Sequence, residues 1–195
     1  MIKDHNARPS VLVIGIGAEL RGDDAAGLIA LRLLRTMDPL EGVGFLECAD
    51  DGLNLIHAWE GVDVVILIDA VSAGLPPGTI TTIDVRDCTA SLSKLQSSSH
   101  HIGLAETIEL GRALHALPPV LILYGVQWGD THPGETLSPA VVPAIDRIVA
   151  SVRADLHHWR TAIRSGANPG PHETIPSFPE SNERGFPEDP RYIHG

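Results

Sequence analysis

The run DVVILIDA, residues 63–70, is the feature that most constrains the fold of this chain. Residues 64–68 are all apolar and do not alternate with polar residues, which is typical of a parallel strand covered on both faces. Similar short runs occupy residues 10–16 and 118–126, and residues 43–47 resemble a shorter strand. The sequence therefore predicts a mainly parallel sheet that is buried between helices.

Segments with helical periodicity separate the predicted strands. Apolar residues recur at helical spacing within residues 23–37, and further helices are predicted at residues 53–59 and 103–117. The clearest amphipathic helix follows Ser138 and Pro139, which suit an N-cap and the first helical position. Its apolar stripe consists of Val141, Ile145, Ile148, Val149, Val152, Leu156, Trp159 and Ile163. Strands that alternate with helices predict an α/β fold with helices on both faces of the sheet.

The remaining segments complete a sheet of about five strands. Residues 79–85 follow a Pro-Pro-Gly turn and alternate well enough for a strand, which we place at an edge of the sheet. Residues 91–99 are polar and serine-rich, so we predict a loop there. Residues 166–195 are rich in proline and have little periodic apolar content, which indicates a flexible tail. We therefore expect a single α/β domain over residues 1–165.

Composition and charge exclude several classes of protein. A chain of 195 residues with 43% hydrophobic residues can build the core of one domain. Its net charge of −11 and the absence of a basic run argue against a nucleic-acid or membrane partner. No apolar run approaches a bilayer span, and no signal peptide is recognisable, so we expect a cytoplasmic protein. Two cysteines, Cys48 and Cys88, are too few for a disulfide scaffold or a four-thiolate metal site.

The loop after the first strand, GIGAELRGDDAAG, partly matches a dinucleotide-binding fingerprint. Its first two glycines fit the pattern, and Glu47 stands near the position of a ribose-binding acid. However, Leu20 occupies the place of the third glycine. Asp23 and Asp24 would repel a pyrophosphate at the start of the following helix. A dinucleotide-dependent oxidoreductase is therefore a weak hypothesis.

Polar residues at the carboxyl ends of the strands are the candidates for chemistry, because ligands bind there in parallel α/β sheets. Asp69 follows five apolar residues in a strand that we expect to be central, where a lone carboxylate is costly to bury. Asp23 suits a helix cap, which leaves Asp24 to face the crevice. His100 and His101 precede the helix that begins near residue 103. Two carboxylates and an imidazole could bind a metal ion or supply acid and base groups.

Structural interpretations of these residues stay open as well. Acids at a helix N-terminus cap amides, an aspartate at a strand end can accept bonds from backbone amides, and loop histidines are often exposed. His132 lies in a later loop and could also approach the site. The motifs of serine hydrolases, zincins and P-loop nucleotidases do not occur in the sequence.

These segments, taken together, resemble the hydrogenase maturation endopeptidases. The matching pieces are GIGAELRGDDAAG, VVILIDAV, PPGTI, SSHHIGL and LSPAV, which span about residues 11–160 in the order and spacing of the family. The resemblance implies a three-layer α/β/α sandwich. It also implies one reaction, the removal of a C-terminal extension from the precursor of a [NiFe]-hydrogenase large subunit after nickel insertion. The enzyme would be an aspartic-type endopeptidase.

The same resemblance implies which residues form the site. In the family, an acid of the first loop, an aspartate of the third strand and a histidine before the next helix contact nickel. The matching residues here are Asp24, Asp69 and His100, which would be both metal ligands and catalytic residues. His100 is preferred to His101 because the family's histidine stands three residues before a glycine-leucine step, here at residues 103–104. The chain departs from the family at Ala18, where asparagine is usual and could hold the loop by hydrogen bonds.

The nature of the metal and of the partner follows from the resemblance. Nickel would arrive with the large-subunit precursor, whose thiolates hold it, so the enzyme alone should bind it weakly. Water could be activated by an aspartate or by the metal. An alternative is a non-catalytic, metal-sensing chaperone that docks on the nickel-loaded large subunit with the same three residues. We expect the chain to be a monomer.

Overall fold

The computed structural model describes residues 10–37, 41–49, 52–86, 96–97, 103–134 and 136–165. The strands in these ranges are β1 (Val11–Ile16), β2 (Val43–Cys48), β3 (Val64–Ser72), β4 (Ile80–Asp84), β5 (Gln96–Ser97) and β6 (Val120–Gln127). The α-helices are α1 (Ala26–Thr36), α2 (Gly52–Trp59), α3 (Leu104–Ala113) and α4 (Val142–Arg164). A 3-10 helix, Gly22–Ala25, directly precedes α1.

The sheet has the strand order β2-β1-β3-β6-β4, with β3 at its centre. The first four of these strands are parallel, and β4 runs antiparallel to β6. The position of β4 at an edge of the sheet is as the sequence predicts. The short strand β5 pairs antiparallel with the end of β3 at Val71 and Ser72. The predicted loop at residues 91–99 is thus wrong at residues 96–97. The rest of that loop lies outside the described residues.

Helices cover both faces of the sheet. One face packs against α1 and α4 through a core that includes Ile68 and Trp159. The other face packs against α2 and α3 through a second core that includes Leu67 and Trp59. Successive residues of β3 therefore enter different cores, which explains why its apolar run does not alternate. The predicted three-layer α/β/α sandwich is confirmed.

The third helix is shorter than predicted. It ends at Ala113 rather than at residue 117. His115 takes a left-handed conformation with φ of 53°, and the Ala116 amide donates to the Gly111 carbonyl at 2.8 Å. A left-handed residue at this position ends a helix, because the chain turns back and its amides donate to the last carbonyls of the helix.

The last helix begins later than predicted, at Val142. Ser138 is not its N-cap, because the Ser138 hydroxyl donates to Asp23 and its carbonyl accepts from the amides of Val141 and Val142. The predicted apolar stripe is confirmed: seven of its eight residues are buried, and Ile163 is half-buried. The predicted tail, residues 166–195, lies outside the described residues. In the described part of the chain, no helix combines the length and the apolar character needed to span a membrane.

Candidate functional site

The start of α1 lies on the carboxyl ends of the two central strands β1 and β3. A Cβ atom at Gly27 would be 2.3 Å from the carbonyl oxygens of both Ile16 and Ile68. Only glycine permits this approach, because any side chain would overlap the backbone of both strands. The 3-10 helix, which carries Asp23 and Asp24, therefore lies at the sheet edge where we expected a site.

Asp69 lies on this edge within β3. It is opposite Gly125 of β6 in the register, and the residue is 1% exposed. The strand continues to Ser72, beyond the predicted end at residue 70, because its last residues pair with both β5 and β6. Alternation along the strand places Asp69 on the same face as Leu67, which is the face covered by α2 and α3.

Asp24 reaches the same edge from the 3-10 helix, which contacts β3. Asp24 is 2% exposed, and its Oδ2 accepts a hydrogen bond from the Ala18 amide at 3.2 Å. This bond holds the first loop at the position where the family usually has asparagine. A carboxylate thus supports the loop where the sequence lacks the expected side chain. Asp24 and Asp69 therefore both lie at the carboxyl edge of the sheet.

Asp23 does not cap a helix, contrary to the sequence-based expectation. Neither the 3-10 helix nor α1 has a side-chain cap. The Asp23 carboxylate is buried and accepts four hydrogen bonds, from the amides of Gly129, Asp130 and Ser138 and from the Ser138 hydroxyl, at 2.6–2.9 Å. Burial raises the pKa of Asp23, but the hydrogen bonds from Asp130, Ser138 and Gly129 outweigh it, so the pKa lies below its ordinary value.

Backbone bonds reinforce this contact between the first loop and the loop after β6. The Gly22 amide donates to the Gly134 carbonyl at 2.9 Å, and the Gly134 amide donates to the Leu20 carbonyl at 2.8 Å. The Asp23 amide donates to the Asp130 carbonyl at 2.9 Å. Sequence inspection missed this clamp. The serine-proline step after β6 was its only signal, and it suits a helix cap equally well.

Of the three candidate histidines, only His132 lies among the described residues. His100 and His101 lie outside the described residues, between Ser97, which pairs with Val71, and the start of α3. His132 is not part of the buried carboxylate pair, since its side chain is 90% exposed and bonds to Asp130. Within the described ranges, no three His, Cys, Asp or Glu side chains form a group that could hold a metal ion.

Other candidates from the sequence have structural roles or lie outside the described ranges. Glu47 forms ion pairs with Arg32 at 2.6 Å and Arg35 at 3.0 Å, both on α1. The hydrogen bond from Arg32 is the main cause that lowers the pKa of Glu47, and burial opposes it. The acid required by the dinucleotide hypothesis is thus engaged with α1. Cys48 is half-buried, and Cys88 lies outside the described residues.

Comparison with known proteins decides the family. The family model HycI, described as hydrogenase maturation protease, matches residues 28–154. The chain belongs to the hydrogenase maturation protease family. It is 30% identical over 182 residues to the hydrogenase expression/formation protein HupD of Rhodobacter capsulatus, across 92% of this chain and 87% of that protein. It is 31% identical over 148 residues to HupD of Thiocapsa roseopersicina, across 71% and 67% of the two chains.

Comparison with solved structures supports the assignment of this chain to the hydrogenase maturation protease family. The hydrogenase maturating endopeptidase HybD of E. coli superposes with a TM-score of 0.64 and 26% identity, over 80% of this chain and 93% of that one. An endopeptidase from Escherichia coli, solved in solution, gives a TM-score of 0.66 and 27% identity, over 81% and 94%. The resemblance found in the sequence motifs is confirmed, and the protein is a peptidase by family.

Asp24 and Asp69 supply carboxylate oxygens at this edge but do not form a complete metal site with other described residues. Imidazole is a common ligand of nickel, whereas carboxylates are the usual ligands of harder cations. Asp24 and Asp69 alone would therefore hold nickel poorly. Together with an imidazole they could complete the coordination of an ion that already has thiolate ligands. Buried carboxylates can also accept a proton from water.

Proposed function

We propose that this protease removes a C-terminal extension from the precursor of a [NiFe]-hydrogenase large subunit after nickel has been inserted. The main support is the pair Asp24 and Asp69, buried carboxylates that two separate segments bring to the carboxyl edge of the sheet. Family membership supports the peptidase activity. The proposal places the reaction in the cytoplasm.

Nickel belongs to the substrate in this proposal. The precursor supplies thiolates, and the protease adds Asp24, Asp69 and His100 to the ion. Such a site reports whether nickel is present, because the precursor is held in the cleavage position only when the ion bridges the two proteins. The two buried carboxylates at the carboxyl edge support this assignment, because carboxylate oxygens can bind a metal ion. Cleavage therefore follows nickel insertion, because only the nickel-loaded precursor is held in the cleavage position.

Cleavage in this proposal is of the aspartic type. One carboxylate of the site accepts a proton from the attacking water, whose oxygen bonds to the scissile carbonyl carbon. The carbon–nitrogen bond then breaks, and the protonated carboxyl group returns its proton to the leaving amine. Burial of both carboxylates at the sheet edge supports this role, because excluding solvent strengthens their interactions with the reacting groups.

Mass spectrometry of an extended precursor tests the proposal. Nickel-loaded and nickel-depleted precursors are incubated with the protease, and their masses are compared before and after. Loss of a C-terminal peptide from the loaded precursor alone is the expected result. An unchanged mass in a stable complex would instead indicate the metal-sensing chaperone.

Calorimetric titration of nickel into the isolated protease tests the origin of the metal. Weak binding is expected because, in this proposal, the thiolate ligands of the ion belong to the precursor and not to the protease. Submicromolar binding without the precursor would contradict a substrate-borne ion. The same titration of an Asp69→Asn variant identifies whether any binding that occurs uses this site.

A further inference from the structure

The backbone of Leu20 is in an unusual conformation. Two non-glycine residues of the described chain have positive φ angles, Leu20 at 64° and His115 at 53°. His115 lies just after α3, where a left-handed residue commonly ends a helix. Leu20 has no such role, since it lies in the loop between β1 and the 3-10 helix. The left-handed backbone conformation is unfavourable for leucine, because the Cβ atom of leucine crowds the backbone carbonyl.

Neighbouring segments impose this conformation on Leu20. Its carbonyl accepts a bond from the Gly134 amide at 2.8 Å, and the next residue, Arg21, forms an isolated bridge with Gly134. Asp23, with its four bonds to the loop after β6, fixes the chain on the other side. Strained residues persist only where the surrounding structure determines them in this way, and they are concentrated at functional sites.

Burial does not stabilise the side chain of Leu20 in this conformation. It is 60% exposed and belongs to neither core. Glycine or asparagine would adopt the same backbone with less strain. Leu20 is also only two residues from Ala18, whose amide bonds to Asp24 of the candidate site. The loop that bonds to Asp24 therefore presents an apolar side chain to solvent.

We propose that Leu20 anchors the precursor polypeptide by packing against an apolar residue close to the bond that is cleaved. This inference rests on the proposed function, and it identifies Leu20 as a determinant of substrate recognition. An apolar partner is favoured because the exposed leucine has no polar group to offer a charged or hydrogen-bonding residue. Leu20 contacts no reacting atom in this role, so it should affect KM rather than kcat.

Two substitutions separate the side chain from the backbone strain. Leu20→Asn and Leu20→Gly both tolerate a positive φ and both remove the apolar contact. The expected result is a rise in KM of roughly ten- to a hundredfold, the range for loss of a buried leucine contact, with kcat unchanged. Thermal unfolding should show a melting temperature equal to or above that of the unaltered protease.

Leu114→Asn is the matched control. Leu114 is 59% exposed, as Leu20 is 60%, but it follows α3 at the opposite edge of the sheet and has a right-handed backbone. The Leu114→Asn variant should have the same KM as the unaltered protease. An unchanged KM for Leu20→Asn would overturn the proposal, as would a loss of stability that accompanies a lower kcat, since Leu20 would then be a structural part of the loop.

Direct binding of the nickel-loaded precursor separates this proposal from the proposed function. Biolayer interferometry measures its affinity for the unaltered protease and for Leu20→Asn. Binding that depends on Leu20 without cleavage would support the anchor and refute the proposed cleavage of this precursor. Cleavage by both proteins with equal affinity would refute only the anchor.

Discussion

Asp23 and Ser138 form two hydrogen bonds across 115 positions of the sequence, from the Ser138 amide at 2.6 Å and from its hydroxyl at 2.7 Å. The amides of Gly129 and Asp130 complete the set of four donors to the buried carboxylate. This contact holds the loop after β6 against the 3-10 helix that carries Asp24. The geometry of the candidate site therefore depends on a residue that lies outside the site.

Substitution Ser138→Ala tests the energetic weight of this contact. It removes one of the four donors to a charged group, so the free energy of unfolding should fall by about 1.5–3 kcal/mol. Urea denaturation measures the change. Ser165→Ala is a suitable control, because the Ser165 hydroxyl makes a single exposed bond to the Ala162 carbonyl at the end of α4. An equal loss in both variants would contradict a special role for Ser138.

Acid should weaken the same contact. Because the folded-state pKa of Asp23 is lowered, its ionisation stabilises the fold above the unfolded-state pKa of about 4. That contribution is lost as the pH falls through the folded-state value. Asp23→Asn cannot ionise, so the stability difference from the unaltered protease should shrink below about pH 4. Urea denaturation at a series of pH values measures it, and a constant difference would exclude Asp23 as its source.

The two buried carboxylates of the site should be essential for processing. Asp24→Asn and Asp69→Asn keep the shape of each side chain but remove its charge, so the cleavage rate should fall at least about 100-fold. His100→Ala should have the same effect. Mass spectrometry of the precursor measures the rate, and circular dichroism verifies that each variant is folded.

Asp84→Asn provides the control for these variants. Asp84 is also nearly buried, at 9% exposure, but it pairs with Arg86 at 3.2 Å at the end of β4 that is distant from the carboxyl edge. Its substitution should leave cleavage intact. Near-normal cleavage by the Asp24 and Asp69 variants would remove both residues from the catalytic site.

Most of the sheet and its helices could be predicted because their signals are local. The continuous apolar run at residues 64–68 indicates a strand that is buried on both faces, and the stripe of α4 shows the helical period. The position of Asp69 at the carboxyl edge follows from the same run. Asp24 could also be assigned to this edge because the loop that leads to it directly follows the first strand.

Features that depend on distant segments could not be predicted in the same way. Ser138 suits a helix cap by residue type, and only its encounter with Asp23 decides otherwise. The two residues of β5 and the extension of β3 likewise depend on pairing partners rather than on local pattern. The role of His100 stays a prediction, because it lies outside the described residues.

Tyr124 provides a test at alkaline pH. Burial raises the pKa of Tyr124, and its hydrogen bond to Asp155 raises it further. The bond therefore stabilises the fold below about pH 10, and this contribution is lost as the pH rises through the folded-state value. The chain has two tyrosines, so absorbance titration of Tyr124→Phe should match that of the unaltered protease until unfolding begins. A smaller absorbance change in the variant near pH 10 would show that Tyr124 ionises at an ordinary pKa.

The substitution Gly27→Ala has two opposing effects on stability. It raises the helix propensity of α1, but it disturbs the close contact between α1 and the strands β1 and β3. In a helix interior, alanine is favoured over glycine by about 1 kcal/mol. At this position the new Cβ would be 2.3 Å from the carbonyl oxygens of Ile16 and Ile68, both in the backbone of central strands. Neither strand can yield, because each is paired on both sides.

The overlap should outweigh the gain in propensity. Overpacking of a core costs about 1–3 kcal/mol, so we expect Gly27→Ala to lower the melting temperature. Cleavage should fall as well, because α1 can relieve the overlap only by moving away from the sheet with the 3-10 helix and Asp24. Leu33→Ala changes a half-exposed position of α1 and should affect stability less and cleavage not at all. A Gly27→Ala variant more stable than the unaltered protease would show that the helix is not held against the strands at this point.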